Sequence, residues 1–179
     1  MSLSVAERGR LIATFRFVEV RLMEIAAAWA PTTPEMEVKV LLGRHIWDFA
    51  QHADALGKRT FELRLPLQHS RPPAEPYLAL LEEVAGLTGT VERLSALYDA
   101  VLPGLDTRYR HYLEACDPIL DAPSRDVLDR IRTEGARQRA EADALRAELG
   151  LPRADMADLV RREAGLDQDA FLTAEVVAR

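Results

Sequence analysis

Several chemistries are missing from this chain before any motif is weighed. It has one cysteine, Cys116, in 179 residues, so it holds no intrachain disulfide and no Cys-x-x-Cys pair. A lone thiol fits a reducing compartment, and the expected location is cytoplasmic. There is no Gly-rich phosphate loop and no Ser-centred nucleophile elbow, which leaves nucleotide-dependent and serine-hydrolase chemistry without a motif. Positive charge is also short. A net charge of -6, with 23 Lys and Arg against 29 Asp and Glu, leaves no electrostatic footprint for nucleic acid or anionic lipid. The basic, aromatic run RYRHY does not offset that balance. No uncharged run approaches the ~20 residues that span a bilayer. The opening MSLSVAERGR lacks an apolar segment behind a basic one and is not read as a secretory signal. With 48% hydrophobic and 29% charged residues, the expectation is a soluble globular protein with no nucleic-acid or membrane partner.

What the chain does have is helical periodicity. Leu11, Phe15, Val18, Leu22, Ile25 and Trp29 recur at alternating steps of four and three, an apolar stripe that predicts one long helix. Pro31 ends it, and Thr33 before Pro34 reads as the cap of a second helix, from about Pro34 to Leu56, closed by Gly57. The second seam is Val38, Leu42, His45, Phe49, His52 and Leu56. A Pro-rich stretch, GKRTFELRLPLQHSRPPAEP, has no helical period and reads as an ordered crossover loop. From Glu75 a near-continuous seam runs through Val84, Leu87, Val91, Leu94, Tyr98, Val101, Leu105, Tyr109 and Tyr112. It passes Pro103-Gly104, so a kinked long helix is expected. After ACDPILDAPSRD, with Ser124 as cap, a last long helix carries Leu128, Ile131, Gly135, Gln138, Ala142, Leu145 and Leu149 on its seam. The prediction is an all-α four-helix bundle over residues 1–150, with a long crossover between its second and third helices. Residues 151–179 form a C-terminal amphipathic helix, from about Ala154 to Ala164, and a tail.

The chemistry concentrates in one stretch, GRHIWDFAQHADALGKR. Spacings of three and four place His45, Asp48 and His52 together on one face of a helix, with both histidines on the inner seam. On the first helix Glu19 sits among Ile12, Phe15, Leu22 and Ala26, so its carboxylate points toward the core edge. A buried carboxylate is costly unless paired or metal-bound, and imidazole with carboxylate from facing helices is a set that iron, manganese or zinc accepts. The competing reading is a structural polar network, in which Asp48 accepts from either histidine.

This arrangement resembles the ferritin-like superfamily, in particular the rubrerythrin-like and di-iron carboxylate bundles. The resemblance implies a ferritin-like four-helix bundle from Leu11 to Leu149. It also implies a carboxylate from the first helix and a Glu-x-x-His pair from the second, repeated on the third and fourth. Glu19 matches the first-helix carboxylate and His52 the second-helix histidine. Phe49 stands where the glutamate of that pair belongs, so Asp48 or His45 substitutes. In the fourth-helix segment IRTEGARQRAEADAL, Gly135 and Gln138 stand where the second pair belongs, and Glu134 lies about 100° around the helix from the seam. On the third helix the nearest candidates are His111 and Glu114. The implied metal set is therefore incomplete: Glu19, His45, Asp48 and His52, with iron or manganese as the cofactor.

The function expected on these grounds is a metal-dependent oxidoreductase or oxygenase-like bundle. The alternative is a metal-free helical module binding a small apolar ligand or a partner protein, favoured by the space that Gly135 opens. Tyr98, Tyr109 and Tyr112 line a channel or act as relays on the first reading, and on the second they are core. Trp47 and Trp29 are candidates for a dimer contact, and a homodimer is expected. His69 on the crossover is a candidate lid residue, and local helical geometry places no histidine near Cys116 to activate it.

Overall fold

In the computed structural model, which describes residues 3–166 and Phe171, the helices start where the sequence supplies caps and stop where it supplies breakers. All the elements are helical, with no strand among the described residues. Helix α1 (Val5–Trp29) opens on a reciprocal capping box: the Glu7 amide donates to Ser4 Oγ, and the Ser4 amide donates to the Glu7 carboxylate. Its predicted stripe is buried throughout, from Leu11 to Trp29. Trp29 is therefore a core residue and not a dimer contact. Its indole donates to the Ala85 carbonyl, and the Arg93 guanidinium lies over its ring, 5.6 Å from the centroid.

A single 3-10 turn, Ala30–Thr32, carries Pro31 and leads into α2 (Met36–Glu62), which packs back along α1. Helix α2 does not stop at Gly57. The crossover folds over the helix here, and a Cβ at Gly57 would lie 2.0 Å from Gln68 Oε1. The Gln68 amide donates to the Gly57 carbonyl at 3.1 Å. The glycine permits a close approach rather than a helix stop.

Beyond the crossover, α3 (Glu75–Ala85) has Pro76 in its first turn, where a missing N–H costs nothing. The apolar seam then continues but the helix does not: Gly86 to Gly89 separates α3 from α4 (Thr90–Ser95). From Thr90 the chain stays helical to Ala115, through a π-helical segment at Ala96–Val101 and then α5 (Leu102–Ala115). The Leu102 amide reaches back five residues to the Leu97 carbonyl. This wider turn immediately precedes Pro103, which has no amide to give, so the helix absorbs the proline without ending.

Helix α6 (Ala122–Leu149) is capped at its end by Gly150 in the left-handed region, φ 65°. Ser124, expected as a cap, lies inside its first turn and donates to Asp121 at 2.7 Å. Helix α7 (Ala157–Ala164) docks on α3 and α5 through ion pairs of Arg162 with Glu83 and Arg108 with Glu163. It is shorter than the expected span from Ala154, and the predicted tail falls outside the described residues apart from Phe171. Phe171 is buried, its ring edge-on to Tyr77 with centroids 4.9 Å apart. The long helices α1, α2, α4–α5 and α6 enclose one apolar core, crossed by a few fully buried polar groups.

Candidate functional site

Two of the connected sets of buried polar groups contain expected site residues. The first crosses the core from α5 to α6. Tyr109, on α5, donates its hydroxyl to Glu19 Oε1 at 2.6 Å. Glu19 Oε2, on α1, accepts from His52 Nδ1 at 3.1 Å, and His52 Nε2, on α2, donates to Glu134 Oε2 of α6 at 2.7 Å. Glu19 and His52 are each 1% exposed, whereas the Glu134 side chain is 32% exposed, so the line runs from the core to the surface. Burial alone would depress the His52 pKa. The facing carboxylates of Glu19 and Glu134 reverse that and raise it to about 9. At neutral pH His52 is an imidazolium with both N–H groups donated.

The second set belongs to His45, fully buried one helical face-repeat earlier on α2. Its Nδ1 lies 2.6 Å from the Tyr98 hydroxyl and its Nε2 3.2 Å from Glu141 Oε2. Burial lowers the His45 pKa against the opposing pull of Glu141, so the ring is neutral at neutral pH. Burial also raises the Tyr98 pKa, which keeps its proton available. The tautomer follows: Tyr98 donates to Nδ1, and Nε2–H donates to Glu141. Tyr98 sits in the π-helical segment, so the irregular turn presents this hydroxyl to the seam. Asp48 is placed elsewhere, accepting from Arg137 at 2.7 Å and from the Gln138 amide at 3.2 Å.

The structure thus brings Glu19 and His52 together, puts His45 with Tyr98 and Glu141, and puts Asp48 with Arg137 and Gln138. Sequence reasoning passed over Glu134 as off the seam and did not single out Glu141. Yet α2 and α6 run past each other as a polar ladder, with rungs His45–Glu141, Asp48–Gln138 and His52–Glu134. Steps of three and four from 45 to 52 are matched by steps of four and three from 134 to 141, and that matched spacing was the readable signal. His111 and Glu114, the third-helix candidates, are exposed on α5, while Tyr98, Tyr109 and Tyr112 are buried. Cys116 is buried beside the Leu113 carbonyl, and His69 is half-buried on the crossover.

Iron or manganese would need imidazole lone pairs and carboxylate oxygens aimed at a shared point. As placed, both nitrogens of His52 face carboxylates, Nδ1 of His45 faces a hydroxyl, and Asp48 faces an arginine. Among the described residues no group of three or more His, Cys, Asp or Glu is arranged to hold a metal ion. In this arrangement Glu19, His45, Asp48 and His52 face separate partners and not one shared point.

Beside the first set lies a small cleft between α2, α5 and α6, with about 20 Å³ of enclosed space, widening to about 320 Å³ only when its solvent-open mouth is counted. Glu19, His52 and Tyr109 form its polar side, Phe49, Leu102, Leu105 and Ile131 its apolar walls, and Asp106, Arg132 and Arg139 its charged border. Gly135 faces it, and a Cβ there would meet nothing within 4 Å. Gln138 also lines it, fully buried, and its Oε1 has no hydrogen-bond partner among the described residues. The amide cannot be turned to relieve this, because its NH2 is the group that donates to the Asp48 carboxylate. No protein-family model matches the chain, and no curated protein or solved structure is significantly similar to it.

Proposed function

We propose that the chain is a ferritin-like four-helix bundle in which hydrogen-bonded rungs occupy the positions of the metal ligands, and that it works as a metal-free module binding a small, largely apolar ligand in the α2–α5–α6 cleft. The observation that carries this reading is Gln138 Oε1. It is an acceptor on a fully buried side chain, unpartnered among the described residues, and its residue lines a cleft that Gly135 leaves open. Burying an amide oxygen without a partner is unfavourable, so its position favours a donor that arrives with a ligand. The neighbouring imidazolium supports the same reading, because a doubly donating ring has no lone pair to give a cation.

Thermal denaturation tests it. A small phenol such as p-cresol should raise the midpoint in a concentration-dependent way, and Gly135→Leu, which fills the cleft, should abolish the rise. Fe2+, Mn2+ or Zn2+ should leave the midpoint unchanged. A clear rise with one of these cations, reversed by EDTA and lost in His52→Ala, would overturn the proposal and return the chain to carboxylate–histidine metal chemistry.

A further inference from the structure

One face of α2 takes no part in the core. Met36, Val40, Gly43 and Trp47 follow one another at steps of four, three and four, so they share one stripe of that helix. Helix α2 packs on α1 and α6 through another face, where Val38, Leu42, Phe49 and Leu56 are buried. Met36 is 64% exposed, Val40 56% and Trp47 66%. Gly43 is exposed as well, and a Cβ there would meet nothing within 4 Å. The stripe exposes on the order of 400 Å² of apolar surface, near the apolar share of an ~800 Å² half-interface.

The stripe is complementary to its own reverse. Met36 and Trp47 lie equally far on either side of the point between Leu41 and Leu42, and so do Val40 and Gly43. A second α2 running antiparallel about that point therefore sets Met36 against the second copy's Trp47. It also sets Val40 against the second copy's Gly43, where the missing side chain lets the two backbones approach. The charges follow the same symmetry. Glu37 and Arg44 are seven residues apart on one flank of the stripe, centred within one residue of the same point. A two-fold axis keeps that flank on the same side in both copies, so each Glu37 meets an Arg44. Glu37 is exposed, and the Arg44 side chain is 59% exposed, reaching Glu141 only at 3.8 Å.

We propose that the chain forms a two-fold symmetric homodimer through antiparallel α2 helices that cross between Val40 and Gly43, with Met36–Trp47 contacts on either side of the crossing and Glu37–Arg44 pairs at the rim. The dimer does not depend on what the cleft binds.

Sedimentation equilibrium of the full chain from about 1 µM to about 1 mM tests it, the span in which so small an interface associates. The expected result is a reversible monomer–dimer equilibrium with a micromolar Kd. Tryptophan emission should shift to the blue as the dimer forms, because Trp29 is already buried and only Trp47 changes its surroundings. Trp47→Ala should weaken association roughly tenfold or more. Glu37→Lys and Arg44→Glu should each weaken it about tenfold, by opposing like charges in both rim pairs. An equimolar mixture of those two variants should associate as tightly as the wild type, since every altered charge then faces its opposite. All three side chains are exposed, so the variants should keep the circular dichroism of the wild type. A chain that stays monomeric up to about 1 mM overturns the proposal and leaves the stripe to a different protein. A dimer indifferent to Trp47→Ala overturns it as well. So does a mixture of the charge variants that associates no more tightly than either alone, because the second copy then lies on another surface or in another orientation.

Discussion

Glu19 is the group whose removal says most about the buried network, and Glu19→Gln changes its charge with almost no change of shape. In the wild type, His52 has a folded-state pKa of about 9 against 6.5 for a free histidine. A raised pKa means that the folded state holds a proton the unfolded chain releases. The stabilisation is therefore complete below about pH 6.5 and is lost as pH rises toward 9. The difference corresponds to a ceiling of roughly 3 kcal/mol, shared between Glu19 and Glu134. Glu19→Gln keeps an acceptor for the Tyr109 hydroxyl but removes the more buried of the two charges facing His52. At about pH 6 the variant should be less stable by roughly 1–3 kcal/mol, the range for a disrupted buried charged hydrogen bond. As pH rises to about 9 the wild type should lose its advantage and the two curves should converge. Urea denaturation followed by circular dichroism across that range measures the gap directly. A gap that stays constant with pH would refute the charge pairing of Glu19 with His52.

His45 should behave in the opposite sense. Its pKa is lowered by burial, so the stability tied to its neutral form is present above about pH 6.5 and lost as pH falls; urea midpoints in mild acid should decline less in His45→Gln than in the wild type. Gly135→Ala should stabilise the fold by about 1 kcal/mol, raising the melting midpoint by roughly 2–4 °C, since a mid-helix glycine is replaced where a Cβ meets nothing within 4 Å. Asp121→Ala should cost roughly 3–5 kcal/mol in chemical denaturation, because it strips a fully buried carboxylate from Arg59, Tyr112 and Ser124 together.

The stripes that bury whole helix faces were legible in the sequence, since Leu11 to Trp29 and Leu128 to Ala142 repeat at helical spacing with little interruption. Punctuation was harder. Gly57 looks like a helix stop because close-approach glycines and capping glycines are the same letter, and only the returning Gln68 tells them apart. The seam from Glu75 to Tyr112 hides the break at Gly86–Gly89, because apolar spacing carries across a short interruption that the backbone does not. In the site, Glu19, His45 and His52 were readable as inward polar residues on apolar faces. Glu134 and Glu141 were not, because their Cα positions lie at the margin of the α6 seam and only the reach of the side chain brings each carboxylate onto a histidine. Asp48 sits where the seam pattern puts it, but Arg137 and Gln138 of the facing helix, not its own histidines, hold its carboxylate.

The claim at the centre of this account is that His52 is an imidazolium held between two carboxylates. Nitrogen-15 NMR of the His52 ring at neutral pH tests it most directly. The account predicts that both ring nitrogens carry protons, that the signals collapse toward those of a neutral ring only near pH 9, and that Fe2+, Mn2+ or Zn2+ at one equivalent leaves them in place. A neutral ring at pH 7, or one whose nitrogen signals shift or broaden on addition of a single equivalent of metal, would contradict it.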